Sequence, residues 1–175
     1  KNKASAVAGE ELGYINIETQ QGDIKIDHIA KIIRSEAMSI VALQEVFDEV
    51  SVKNLTQKVG FSWEYAFELS RDSKEGYAFL WDSQAWSLPV ATAAGGQKRR
   101  FKPRILNQYC KFNGIPMVRN PYYARFIPAP NSGGPFIELR LINTHIRFSG
   151  SNNDVETDVD MSTLEKRRNE FRTLT

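Results

Sequence analysis

The chain has 175 residues, 41% of them hydrophobic and 25% charged, with a formal net charge of +2. That is apolar material for one ordinary globular domain over residues 1–175, and it excludes a disordered or fibrous polymer. No apolar run is long enough to span a bilayer and the opening KNKASAVAGEELGY lacks the apolar centre of a signal peptide, so a soluble protein of undetermined compartment is expected.

In chain order, YINIE (Tyr14–Glu18) alternates like a short strand. Asp27 reads as the N-cap of a helix HIAKIIRSEA, whose Ile29, Ile32 and Ile33 form an apolar stripe. The strand SIVALQEV (Ser39–Val46) follows, so the opening unit reads strand, helix, strand, as in a βαβ arrangement. A second amphipathic helix fits Val50–Val59, stopped by Gly60. Short β-like runs then succeed one another: SWEYAFEL, GYAFLWD, WSLPVAT, YYARFIPAP and FIELRLINTH. Turn signals between them, such as Asn131–Gly134, predict antiparallel hairpins. Ser162 and Glu165 make a capping box for a last helix carrying Leu164, Phe171 and Leu174. Helices flanking a mixed, largely antiparallel sheet is the expected architecture. The single cysteine, Cys110, excludes an internal disulfide and a cysteine-based zinc cluster.

Charge is unevenly distributed. Between Asp82 and Glu138 there is no acidic residue, yet Lys98, Arg99, Arg100, Lys102, Arg104, Lys111, Arg119 and Arg125 all fall there, interleaved with aromatic residues. Cations that meet phosphates beside rings that stack suit a polyanion such as nucleic acid. The plain alternative is a solvated surface whose counter-charges lie elsewhere in the fold.

Two strand ends carry chemistry. SIVALQEV delivers Glu45, a carboxylate suited to a hard divalent metal, although a strand-end Glu also serves in ordinary salt bridges. FIELRLINTH closes on His145, suited to proton transfer or to a phosphate, although a structural role is open to it too. His28, in the first helix, is given no function.

In this order, YINIE, SIVALQEV, KEGYAFLW, RNPYYARF and INTH resemble the motifs of the endonuclease/exonuclease/phosphatase superfamily, the deoxyribonuclease I-like metal-dependent phosphoesterases. The resemblance spans nearly the whole chain. It implies an α/β (α+β) fold, the deoxyribonuclease I-like four-layer sandwich in incomplete form, roughly the N-terminal sheet and its flanking helices. It further implies that Glu45 binds a catalytic Mg²⁺ (or Mn²⁺) and that Asn16 helps position the metal or a phosphate oxygen. Glu75 would pair with the catalytic His145, and Arg119 would contact substrate phosphate. The surroundings of Asn16 depart from the family's usual Trp-Asn form. Outside the resemblance, Glu75 beside Lys74 reads as a surface ion pair and Arg119 as a solvated side chain.

The family's Gly-Asp-(Phe/Leu)-Asn strand and its Ser-Asp-His are missing from the sequence. Half of a two-sheet sandwich would expose a large apolar inner face, which monomers rarely tolerate. The missing half is therefore expected from a continuation of the gene, a complementing chain or self-association, and this chain alone is expected to hydrolyse little or nothing. The function implied is metal-dependent phosphodiester hydrolysis, most simply by a nuclease. A phosphatase acting on lipid or sugar phosphates, and a degenerate, non-catalytic module binding nucleic acid or protein, stand as alternatives.

Overall fold

The computed structural model describes residues 20–70, 74–107, 111–112, 115–117, 119–133 and 135–145, with single helical positions at Arg168 and Arg172. Asn16 and its YINIE segment, Cys110 and the Ser162–Glu165 capping box lie outside the described residues.

Helix α1 spans Gln20–Ser35, and Asp27 is not its cap but lies within it. The helix runs unbroken through it from Gln20, so its backbone is helical and its carboxylate, with no free first-turn N–H to accept from, meets Lys58 of the next helix at 2.8 Å. The helix ends without glycine. Met38 N–H donates to Ile33 O and Ala37 N–H to Arg34 O, the double closure that places Ala37 in the left-handed region at φ 48°. Helix α2, Glu49–Val59, is capped by Asp48, whose carboxylate accepts from Ser51 N–H at 2.6 Å. Both helices lay their apolar stripes on one sheet: Ile26, Ala30 and Ile33 of α1 and Val52, Leu55 and Val59 of α2 are buried together. Burying a large apolar side chain contributes roughly 1.5–3 kcal/mol, so this layer readily outweighs the roughly 1–2 kcal/mol that Ala37 costs.

That sheet is antiparallel, in the order β1 (Ile40–Val46), β3 (Gly76–Asp82), β2 (Trp63–Leu69). The central strand β3 is buried on both faces, which is why GYAFLWD reads as an unbroken apolar run. Ala78 and Leu80 face the helices, whereas Tyr77, Phe79 and Trp81 face a second sheet.

The second sheet centres on β10 (Tyr122–Pro128). It pairs with β11 (Leu139–Asn143) along one edge, and with β4 (Trp86–Ser87) and β7 (Arg104–Ile105) along the other. Alternation along β10 turns Tyr122, Ala124 and Phe126 inward. Phe79 stacks on Tyr122 at 5.3 Å and meets Phe126 edge-on at 5.9 Å, and Trp81 lies 5.5 Å from Phe126. Burial, followed by the Glu68 carboxylate, pushes the Tyr122 phenol up, so it stays neutral in this layer. The described residues thus form helices, sheet and sheet, a mixed α+β arrangement with antiparallel sheets. The bare inner face expected of the first sheet is not found: the chain's own second sheet covers it, because rings from β3 and β10 interlock.

WSLPVAT is broken at Leu88–Pro89, with β4 in the second sheet and β5 (Val90–Thr92) in a separate two-stranded ribbon with β6 (Lys98–Arg100). Proline supplies no ladder donor, so the strand changes partner there. Lys111–Phe112 (β8) and Ile115–Pro116 (β9) form another short pair. No helix among the described residues is long and apolar enough to cross a membrane.

On the outer face of the second sheet, Arg125 and Arg140 stand directly opposite each other in the β10–β11 ladder. Glu138 resolves the like-charge contact, accepting from Arg125 at 3.1 and 2.6 Å and from Arg140 at 2.6 Å. These bonds, Arg125's above all, lower the Glu138 carboxyl from 4.5 to about 2. A lowered folded-state value means stability that is fully present above about pH 4.5 and lost as pH falls toward 2. Melting temperatures followed by circular dichroism from pH 6 to pH 2 should therefore fall less steeply for Glu138→Gln than for the wild type. Equal slopes would show that the cluster contributes nothing.

Candidate metal centre

The site lies where four segments end on one side of the sandwich. Strand β1 contributes through a bulge. Leu43 pairs with Ala78 and Val46 with Gly76, so β1 spends Gln44 and Glu45 where β3 spends Tyr77 alone. The extra residue breaks the strict alternation of the strand and lets both side chains reach the end of β11. Glu45 takes a left-handed conformation, φ 55°, which costs a non-glycine residue about 1–2 kcal/mol.

Strand β3 contributes Glu75 at its entrance. The following glycine is required by close approach: a Cβ on Gly76 would lie 2.5 Å from the Glu68 carbonyl oxygen and 3.0 Å from Leu69 Cα. Only there can β2 close on β3, and Ser70 N–H donating to Glu75 O at 3.0 Å completes the junction. Arg119 stands just before β10 and His145 just after β11.

The side chains of Glu45, Glu75, Arg119 and His145 meet. Arg119 Nη2 is 2.5 Å from Glu75 Oε2, and Arg119 Nη1 is 2.6 Å from His145 Nδ1 and 3.2 Å from Nε2. The same Nε2 is 3.2 Å from Glu45 Oε1. A guanidinium only donates, so the tautomer that satisfies both contacts accepts at Nδ1 and carries its proton on Nε2, toward Glu45. Glu75 Oε2 is 4.0 Å from Nδ1. One ligand atom from each of Glu45, Glu75 and His145 falls within 4.8 Å of the others. The two carboxylates offer oxygen ligands to a hard divalent cation such as Mg²⁺, with water completing the shell, whereas in this tautomer neither ring nitrogen of His145 keeps a lone pair for it. Glu45 is 54% exposed and His145 18%, so the carboxylate opens to solvent while the ring is held from behind.

The holding is done by residues to which sequence reasoning gave no role. Asn143, 4% exposed, faces inward in the Leu139, Leu141, Asn143 alternation of β11. Its Nδ2 donates to Leu43 O at 2.8 Å and its Oδ1 accepts from Gln44 Nε2 at 3.1 Å. Gln44 also donates to Thr144 O at 2.6 Å, and His145 N–H donates to the Tyr77 hydroxyl at 3.3 Å. These bonds tie the end of the second sheet to the bulge of the first. At the opposite end, Trp86 Nε1 donates to Ser39 Oγ at 3.0 Å. A polar residue in phase with apolar ones along a strand was the readable signal for Asn143. His28 is exposed on α1, and the described fold gives it no partner in the site.

The bulge makes a stability prediction. Glycine at position 45 relieves about 1–2 kcal/mol of strain but loses about 0.5–1 kcal/mol through unfolded-state entropy. Glu45→Gly is therefore expected to be more stable than Glu45→Ala by up to about 1.5 kcal/mol in urea unfolding. The reverse order would show that the bulge is unstrained.

Seven of the eight cations of the basic span divide into two groups. Arg100 pairs with Glu64 at 3.2 Å, Arg119 with Glu75 and Arg125 with Glu138, as the counter-charge alternative requires. Lys98, Arg99, Lys102 and Arg104 are exposed and meet no carboxylate among the described residues.

Compared with protein-family models, curated proteins and solved structures, the chain matches none.

Proposed function

We propose that this chain carries part of the active site of a metal-dependent phosphodiesterase, most simply a nuclease, built on a deoxyribonuclease I-like four-layer sandwich of which it forms one portion. The observation that supports the reading is the convergence of Glu45, Glu75, Arg119 and His145 from separate strand ends onto one solvent-facing cluster. A bound Mg²⁺ or Mn²⁺ would supply charge neutralisation on the scissile phosphate. Glu45, with Glu75 beside it, offers the oxygen ligands. Arg119 donates to a non-bridging phosphate oxygen, and the guanidinium is free to do so once it leaves Glu75. His145 moves a proton at Nε2, its backbone kept in place by the Tyr77 hydroxyl and by the Gln44 bond to Thr144 O beside it. Asn16 would add a further polar contact to metal or phosphate.

Hydrolysis of plasmid DNA, of RNA and of small phosphomonoesters by the whole gene product, with Mg²⁺ or with chelator, tests the reading. Cleavage that needs the metal and falls at least about 100-fold in Glu45→Gln is expected, on the scale of removing one transition-state charge contact. Cleavage indifferent to Glu45 would sink it. A second reading, a non-catalytic module for nucleic acid, is favoured by the exposed cations without carboxylate partners. It requires salt-sensitive binding that needs no metal and is followed by no cleavage.

A further inference from the structure

We infer that the β5–β6 ribbon, with Lys102 and Arg104 at its foot, is a contact surface for the phosphodiester backbone of nucleic acid, separate from the metal centre. The inference takes the polymeric substrate from the reading above and asks where, besides the metal, such a polymer is held.

The ribbon is an unusual element for a small fold. Val90–Thr92 and Lys98–Arg100 pair only with each other among the described residues, and all six are exposed. Its tip turns through Gly95 and Gly96, at φ 90° and 79°, and a Cβ on either would touch nothing within 4 Å. Burial therefore does not explain it. Its chemistry is cationic. Alternation puts Lys98 and Arg100 on one face of β6 and Arg99 on the other. Arg100 anchors the ribbon to the first sheet through Glu64, and Arg104 lies over the Phe101 ring at 5.9 Å. Lys98, Arg99, Lys102 and Arg104 remain exposed without a carboxylate partner among the described residues, in a span that contains no acid. Cations crowded this way repel one another and favour an external anion.

The anion must be extended. From residue 98 to residue 104 an extended chain covers roughly 20 Å, a length over which duplex DNA presents on the order of ten phosphate charges. Glu64, to which the ribbon is anchored, stands opposite Trp81, at the far end of β3 from Glu75. Six residues of strand put these about 20 Å apart. A phosphorylated sugar or lipid headgroup cannot touch both places, whereas a strand of nucleic acid can.

Fluorescence anisotropy tests this with a 20-base-pair duplex and the matching single strand, both in chelator so that nothing is cut, across a range of salt. Against wild type, the quadruple variant Lys98→Gln/Arg99→Gln/Lys102→Gln/Arg104→Gln is expected to bind with a shallower salt dependence. The slope of log K against log salt should drop by about 0.9 per cation on the duplex or about 0.7 on the single strand, and the two arms tell which form is held. All four side chains are exposed, so the variant should fold, with a melting temperature within a few degrees of the wild type's. An unchanged slope overturns the inference, as does binding confined to anionic vesicles of phosphatidylserine and phosphatidylcholine. Glu45→Gln separates the two claims. If no metal-dependent cleavage is found but binding still follows the ribbon charges, the metal-centre reading falls and the ribbon stands. If cleavage depends on Glu45 while the slope ignores the ribbon, the ribbon falls alone.

Discussion

Replacing His145 by Gln is expected to slow metal-dependent phosphodiester cleavage by about 10²- to 10⁴-fold, the span that a positioned general acid or base contributes. The loss should appear in kcat with little change in KM, because the proposed reading rests phosphate binding on Arg119 and the metal rather than on the ring. Glutamine retains a donor and an acceptor near the positions of the ring nitrogens, so the contacts to Arg119 and Glu45 have partners and the fold should survive. Arg119→Met offers the contrast: KM is expected to rise, since the proposed reading makes the guanidinium the phosphate donor. Equal kcat in wild type and His145→Gln, measured on one oligonucleotide at saturating Mg²⁺, would remove His145 from the chemistry and leave it as a structural partner of Arg119.

Truncating Phe79 to Ala is expected to cost about 3–5 kcal/mol, enough to unfold a marginal domain. Phe79 is fully buried between Tyr122 and Phe126, so its removal strips the interface between the sheets rather than trimming an edge. The effect should reach the metal centre as well. Glu45 and Glu75 belong to the first sheet, whereas Arg119 and His145 hang from the second. Loosening one against the other should weaken Mn²⁺ binding, followed by paramagnetic relaxation of water, in the variant that remains folded at low temperature. A loss below about 1 kcal/mol in urea unfolding would show that the two sheets are not packed through these rings.

Much of this architecture was legible locally. Short β-like runs marked β1, β2, β3 and β10, because a strand-forming pattern depends only on neighbouring residues. Helix α2 was legible from its stripe and from Gly60, and it begins one residue earlier, at Glu49 behind the Asp48 cap. Asp27 was misread because an acidic residue ahead of an apolar stripe looks the same whether it caps a helix or reaches across to Lys58. FIELRLINTH shortened to Leu139–Asn143, leaving Phe136 81% exposed before the strand begins, since strand length is set by the partner β10. The covering of β3 by the second sheet could not be read from either strand alone.

The candidate site divides the same way. Position at a strand end singled out Glu45 and His145, and the resemblance to deoxyribonuclease I-like motifs added Glu75 and Arg119, before any contact was known; the basic span was visible in the spacing of its charges. Only the tertiary structure decided that Gln44 would reach Thr144, a hundred positions away, that a bulge would carry Glu45 to the ring of His145, and that Asn143 would lock the two together. It also decided which cations found carboxylates and which did not. The physical reason is range: propensity, alternation and capping act over a few residues, whereas a site is made by contacts whose partners are chosen by packing of the whole chain.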